Sequence, residues 1–414
     1  MQFLNLREVE YEGRHYQLNS DDLGGTPAVA ALRGSDELLL NWLKAQRAAA
    51  PELQSLAVNV FEDHSAILSL LIGGKCNSLT TDSATATKLQ LCWQQNGMTA
   101  PPPHCQSVLH PWSGVPLNLM RLPKSLDLFE LLLGAIAARA QENTQLAVSF
   151  MTRHFSPRIL EIAQRYADRV EQSRAYKKAR LLLISSFKSS FVLPQVFPRN
   201  GPQSILPNFS ALMESSQGEN AYYHDLSYGG HRYHQLYGVF SAQHIDYGTQ
   251  FLLDSWASLP RLADMPPPQR ILDMGCGNGV IGHQLLLRYP EARLEAFDSS
   301  FLAVYSAQYN LTQLVADQNW EVFPASSIPA DRGQYDLIIS NPPFHDGHRN
   351  TIDPSLQLFR QAATHLKADG SLVLVANRHL NYSTHLSKLF TKVAELATNK
   401  KYVLYRCQEA KQIA

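Results

Sequence analysis

The seven residues Asp273-Met-Gly-Cys-Gly-Asn-Gly279 restrict the fold of this chain more than any other stretch. Before them runs the apolar Ile271-Leu-Asp-Met, read as a short strand, and after them Val280 to Tyr289 carries its apolar residues at helical spacing. A strand that hands over to a helix through glycines lets backbone pass close beneath a ligand while the helix N-terminus faces it. Leu294-Glu-Ala-Phe-Asp reads as a further strand, and Tyr335-Asp-Leu-Ile-Ile-Ser as one buried on both faces. Strands alternating with helices imply an α/β fold, a mostly parallel sheet covered on both sides.

The glycines by themselves leave the ligand open, because Gly277-Asn-Gly279-Val-Ile-Gly282 also satisfies the dinucleotide pattern. Asp298, ending the next strand, is placed to accept hydrogen bonds from both ribose hydroxyls, a role common to dinucleotide and adenosyl sites. Asp273, just ahead of the glycines, is more usual where S-adenosylmethionine binds. The deciding element is Ser340-Asn-Pro-Pro-Phe-His345, directly after the apolar Leu337-Ile-Ile. Two prolines hold the peptide rigid at the strand end where open α/β sheets bind ligands. Asn341 Oδ1 and the Pro342 carbonyl offer acceptors there, and Phe344 a flat wall. An exocyclic amine on a planar base needs such groups: acceptors pull on its hydrogens, and stacking holds its plane against a methyl donor. A sulfonium donor is already activated, so neither metal nor strong base is required. Gly238-Val-Phe-Ser241 and Asp246-Tyr-Gly-Thr249 are expected to close over the donor's methionine end, and Ser326 to reach the adenine.

A chain of 414 residues fits two domains of moderate size. The first half repeats the grammar of the second without its glycines. Leu56 to Ile67 parallels Arg270 to Ile281, and Asp82, Pro123 and Lys177-Lys178 parallel Asp298, Pro343 and Lys400-Lys401 in the same order and at similar separations. This predicts a duplicated domain. In that alignment Phe61 and Asp63 stand opposite Gly275 and Gly277, which would crowd out a donor. Residues 192–237, rich in Pro, Gly, Ser, Asn and Tyr, read as a linker between residues 1–191 and the catalytic residues 238–414. Lys+Arg equals Asp+Glu at 36 each, so any surface for RNA is local. Between Arg153 and Lys188 nine cations meet three acids, and Lys177, Lys178 and Arg180 are the expected contacts to RNA backbone. The five cysteines have no paired spacing and read as reduced thiols of a cytosolic protein, and no segment reads as a membrane anchor.

Ser340 to His345, Asp273 to Gly279, Gly238 to Ser241, Leu122-Pro-Lys124, Tyr176 to Leu181, Ser35 to Leu39 and Ala376 to Tyr382 together resemble the bacterial ribosomal RNA guanine-N2 methyltransferases. The resemblance spans nearly the whole chain. It implies two tandem Rossmann-like methyltransferase domains, the N-terminal one degenerate and devoted to RNA recognition, the C-terminal one active. Guanine N2 in ribosomal RNA is then the acceptor, S-adenosylmethionine the cofactor, and the cytoplasm the location, with no obligate protein partner. The N-terminal length and the Lys-Lys-Ala-Arg segment resemble the large-subunit (23S) type more than the small-subunit (16S) type. Matched positions are Asp273, Gly275, Gly277 and Asp298 for the cofactor, joined by Ser326, Asn341 and Phe240, and Asn341, Pro342 and Phe344 for the base. The residues alone leave adenine N6 open as acceptor. A nicotinamide oxidoreductase is disfavoured by Asn-Pro-Pro-Phe, and a non-enzymatic RNA chaperone by the retained donor residues.

Overall fold

The computed structural model describes residues 6–25, 30–99, 104–188, 222–258, 266–316, 319–342 and 353–411. They form two compact units, Met1–Tyr222 and Tyr223–Ala414. The first opens with a hairpin, β1 (Leu6–Tyr11) and β2 (Arg14–Asn19), followed by α1 (Gly34–Ala49). There follow β3 (Val58–Phe61), α2 (Ile67–Ile72), β4 (Cys76–Thr80), α3 (Ala84–Gln95), β5 (His104–Ser107), β6 (Leu117–Arg121), α4 (Leu126–Ala137), β7 (Gln145–Met151), α5 (Pro157–Tyr166), β8 (Ala167–Gln172) and β9 (Ala179–Phe187). The second unit begins with its own hairpin, β10 (Tyr223–Tyr228) and β11 (His231–Leu236), followed by α6 (Tyr247–Ser258). It continues through β12 (Arg270–Met274), α7 (Val280–Arg288), β13 (Arg293–Asp298), α8 (Phe301–Leu314), β14 (Trp320–Pro324), β15 (Tyr335–Ser340), α9 (Asp353–His365), β16 (Leu366–Asn377), α10 (Tyr382–Leu389), β17 (Phe390–Thr398) and β18 (Tyr402–Ala410).

Each unit holds a seven-stranded sheet, ordered β8-β9-β7-β6-β3-β4-β5 in the first and β17-β18-β16-β15-β12-β13-β14 in the second. Five strands of each are mutually parallel, and β9 and β18 run antiparallel to both neighbours. Strand order, helix order and leading hairpin therefore coincide, and the duplication expected from sequence is present in the topology. The stretch 192–237 that composition marks as a connection ends in the hairpin β10-β11, which is pinned to α8: Asn310 Oδ1 accepts the His234 amide at 2.9 Å and Ser306 Oγ that of Leu236 at 3.0 Å.

Ladder pairing corrects the detailed alignment of the halves by one residue at the glycine loop and by two at the end of the next strand. Phe61 pairs with Met120 and Leu79, while Met274 pairs with Ser340 and Phe297. Phe61 therefore stands where Met274 does, and Glu62 and His64, rather than Phe61 and Asp63, face Gly275 and Gly277. The Glu62 amide donates to Leu79 O at 3.0 Å, as that of Gly275 does to Phe297 O at 2.8 Å. Thr80, rather than Asp82, matches Asp298: Thr80 Oγ1 accepts the Asp82 amide at 3.0 Å and Asp298 Oδ1 that of Ser300 at 2.9 Å. The slip was hidden because the sequence alignment sets Asn59 on Asp273 and Val60 on Met274, like on like, whereas the ladders set Asn59 on Leu272 and Val60 on Asp273; a shift of one reverses the face of every strand residue.

Both faces of the inner strands of the second sheet are buried, which is why β12 and β15 read as continuous apolar runs. Ile271 packs with Leu337, Ile339 and Val373 on one side, and Leu272 and Met274 with Ile338, Leu372 and Leu374 on the other. Gly282 lets α7 lie against this layer, since a Cβ there would stand 2.7 Å from Leu294 Cδ2.

Candidate active site

Past Met274 the chain turns through Gly275 (φ 74°), Gly277 (φ 54°) and Gly279 (φ 81°), left-handed conformations natural to glycine. A Cβ on Gly275 or Gly277 would meet nothing within 4 Å among the described residues, so they leave this floor open above the sheet. Asp273, fully buried beneath it, accepts the Gly282 amide at Oδ2 (3.1 Å), while its Oδ1 is buried without a hydrogen-bond partner among the described residues. Burial, helped by the nearby Asp298, pushes its carboxyl up to about 7. At the end of β13, Asp298 accepts the amides of Gly277 (3.1 Å) and Ser300 (2.9 Å). An open glycine floor, a buried carboxylate with a spare oxygen and an acid on the next strand fit an adenosyl donor of positive charge. Asp298 would hold the ribose and Asp273 would offset the charge.

One strand away, Ser340 Oγ donates to Met274 O at 2.7 Å, locking the end of β15 to β12. The next residue, Asn341, donates from Nδ2 to Asp246 Oδ2 and to Thr249 Oγ1, each at 2.9 Å. A carboxylate only accepts, so the amide nitrogen must face Asp246 and the carbonyl oxygen must point the other way. That oxygen, Asn341 Oδ1, is buried and finds no hydrogen-bond partner among the described residues. Asp246 also receives the amides of Gly248 (2.8 Å) and Thr249 (3.3 Å), so the group aiming Asn341 is itself held. Asp246 and Thr249, expected to close over the donor, thus orient the acceptor side chain. Pro342, the next residue, is buried. Phe344 lies outside the described residues.

Asp273, Gly275, Gly277, Asp298, Ser326, Asn341 and Pro342 all sit at or just beyond the C-terminal ends of the adjacent strands β12, β13, β14 and β15. Ser326 is exposed in the turn after β14. Phe240, 69% exposed, belongs to the loop before α6. Its carbonyl and that of Ser241 accept from Gln235 Nε2 at 3.2 and 3.1 Å, and Gln235 Oε1 accepts from Asn278 Nδ2 at 3.0 Å. Gln235 therefore couples that loop to the glycine floor, a task with no sequence signal because hairpin and floor meet only in the fold. Lys177 and Lys178 form the tip between β8 and β9, in the other unit, at φ 47° and 63°. Lys177 is ion-paired with Glu37 (2.8 Å), and Arg180 reaches Gln172 at 3.3 Å.

Residues 12–189 match the RLMG N-terminal domain and residues 231–406 the methyltransferase small domain. Ribosomal RNA large subunit methyltransferase G of Alcanivorax borkumensis is 28% identical over 365 residues, 88% of this chain and 82% of that protein. Its namesake from Pseudomonas fluorescens is 27% identical over 385 residues, 92% of this chain and 94% of that one. The chain belongs to the bacterial ribosomal RNA guanine-N2 methyltransferase family. As a member it is an S-adenosylmethionine-dependent methyltransferase. Ribosomal RNA small subunit methyltransferase C of Shewanella denitrificans is 38% identical, but over 174 residues, 42% of this chain and 48% of that protein. The T. thermophilus 16S rRNA N2 methyltransferase solved with AdoMet and guanosine shares the fold along 98% of both chains, at TM-score 0.69 and 18% identity. No described helix of this methyltransferase is long and apolar enough to cross a membrane.

In the first unit of the methyltransferase the corresponding place is filled. Its loop keeps left-handed backbone at Glu62 (φ 58°) and Ala66 (φ 62°), without glycine. Glu62 is buried, accepting from Thr81 N (2.9 Å) and Oγ1 (2.8 Å) and pairing with His64 Nε2 at 2.9 Å. Burial opposes charge on His64, yet Glu62 raises it to about 9. Arg121 ends β6 where Asn341 follows β15. Its guanidinium reaches Asp36 at 2.9 Å and Asp63 at 3.3 Å, both fully buried.

Proposed function

We propose that this chain transfers the methyl group of S-adenosylmethionine to the exocyclic N2 amine of a specific guanine in 23S ribosomal RNA of the large subunit, in the cytoplasm. The observation that carries the reading is Asn341: its amide is clamped by Asp246 and Thr249, and its Oδ1, without a partner among the described residues, lies at a strand end beside the glycine floor. An oxygen held this way accepts from an amine N–H and presents the nitrogen in one orientation, with the Pro342 carbonyl as second acceptor and Phe344 as stacking wall. The donor supplies an electrophilic methyl when bound, so the protein need not generate a strong nucleophile. Asp273, Gly275, Gly277, Asp298, Ser326 and Phe240 serve the donor. Residues 238–414, together with the hairpin β10-β11 packed on them, carry catalysis, residues 1–191 contact RNA through Lys177, Lys178 and Arg180, and the stretch between them, expected as 192–237, connects the two only up to residue 222. Relatives that match over most of the chain act, by name, on the large subunit, which favours 23S over 16S RNA.

Incubation of the protein with labelled donor and separated ribosomal RNAs, followed by mass spectrometry of nucleosides, tests this. N2-methylguanosine in 23S RNA is expected. Product confined to 16S RNA would move the substrate to the small subunit, and methylated adenosine as sole product would overturn the guanine assignment.

A further inference from the structure

Beside Asn341 lies a second recess. Tyr247, Gln250, Asn399, Lys400, Lys401 and Tyr402 line an open cleft of about 500 Å³. It meets the site at Gly248, where an added Cβ would stand 3.3 Å from Tyr402 Cε1 and 3.5 Å from Asn341 Oδ1. Lys400 and Lys401 are exposed at the tip between β17 and β18. That tip is preset, because Asn399 Oδ1 accepts the amides of Lys401 (2.8 Å) and Tyr402 (2.7 Å). Tyr247 is 56% exposed, and its ring is supported from behind by His244 at a centroid distance of 4.3 Å.

The first half shows what this arrangement would look like if its charge were neutralised internally. There Lys177, at the equivalent hairpin tip, is tied to Glu37 on α1 at 2.8 Å. Counted from the helix starts Gly34 and Tyr247, the same position on α6 is Gln250. Among the described residues no carboxylate forms a salt bridge with Lys400 or Lys401. Asp254, the acid on the cleft wall, accepts instead from Tyr228 Oη at 2.7 Å. Lys401 sets its ammonium 5.1 Å from the centroid of the Tyr402 ring. Two cations without a salt-bridged carboxylate, beside an exposed aromatic face, match a phosphodiester attached to an unstacked base, the combination that single-stranded RNA presents. An enzyme acting on a base amine must take that base out of its stack, which requires a grip on the neighbouring backbone.

We propose that this cleft binds the nucleotide flanking the target guanine, Lys400 and Lys401 holding its phosphodiester and Tyr247 stacking on its base. The assignment rests on the ribosomal RNA reading above. Its test uses the full chain with Lys400→Ala plus Lys401→Ala, and separately Tyr247→Ala and Tyr247→Phe, folding being checked by circular dichroism. RNA affinity is measured across salt by fluorescence anisotropy on a single-stranded ribosomal RNA fragment, alongside methyl-transfer kinetics. The double variant should shrink the slope of log affinity against log salt by about 0.7 per lost contact. Tyr247→Ala should raise KM for RNA about tenfold or more, and Tyr247→Phe should restore it, because stacking needs the ring and not the hydroxyl. Donor affinity and kcat at saturating RNA should hold. Unchanged salt slope and KM in folded variants, or a loss confined to donor affinity, would overturn the cleft assignment. If wild-type protein methylates no guanine while the variants still lose RNA affinity, the substrate reading fails and the RNA cleft stands.

Discussion

Asn341 and Arg121 occupy one position in two copies of the same sheet, and around them the halves have settled opposite questions. The catalytic half keeps an amide whose nitrogen is used internally, by Asp246 and Thr249, and whose oxygen is left for a partner from outside. The first half puts a guanidinium there and satisfies it internally, with Asp36 and Asp63. The loops diverge in the same sense. Gly275 and Gly277 leave open space, whereas Glu62, at the place of Gly275, sends its carboxylate to Thr81 and His64. Left-handed backbone persists in both, even on Glu62 and Ala66, where such φ values cost about 1 kcal/mol or more each. A duplicated domain can therefore lose its ligand site and keep the loop shape, provided that new side chains fill the space and pair with one another.

The sharpest way to break this comparison is Arg121→Ala. It strands Asp36 and Asp63 as buried carboxylates, and removing one partner of a buried pair costs about 3 to 5 kcal/mol. Urea unfolding should show that loss while donor binding stays at one site per chain; a second donor site, or no change in stability, would refute the idea of an internally filled pocket. Next in size is Asn341→Ala, expected to lower turnover roughly a hundredfold, about 2.7 kcal/mol, with donor affinity nearly intact. Should single-turnover kinetics and calorimetry place the main effect on donor affinity, the role given to Asn341 is wrong.

Asp298→Ala reverses that pattern. Losing a charge-assisted ribose contact should weaken donor affinity by about 1.5 to 3 kcal/mol, while turnover at saturating donor suffers less. A smaller effect comes from pH. The folded protein raises Asp273 to about 7, so its protonated form is favoured on folding: that contribution is complete below about pH 4 and is lost as pH rises to about 7. A cationic donor prefers the ionised carboxylate, so affinity should rise about tenfold from pH 6 to pH 8. Calorimetry on Asp273→Asn should show that dependence flattened. The smallest effect is expected from Lys177, Lys178 and Arg180 changed together to Ala, which should shrink the salt slope of RNA binding by about 0.7 to 0.9 per lost contact. Lys177 already has Glu37 as a partner, so fewer than three contacts should disappear. An unaltered slope would leave that tip as solvated surface.

Sequence by itself determined whatever depends on neighbouring residues. A run such as Leu337-Ile-Ile, a loop needing φ near 54° to 81°, or a pair of prolines constrains the backbone within a few residues, so β12, α7, β13 and β15 were legible, as was the placement of Asp273, Asp298 and Asn341 at the strand ends. Topology followed, because alternating strands and helices have few ways to bury both faces of a sheet. Tertiary structure alone decided which side chains meet across the sheet. Asp246 and Thr249 lie 95 and 92 residues from Asn341, and Asp36 lies 85 from Arg121. No periodicity links them. It also decided the one-residue register between the halves, since hydrogen-bonded ladders distinguish Phe61 from Glu62 at the place of Gly275 and apolar spacing does not. Local propensity acts through backbone torsion and burial, which composition records, whereas an ion pair or an aimed amide exists only once the sheet has closed and water has been excluded around it.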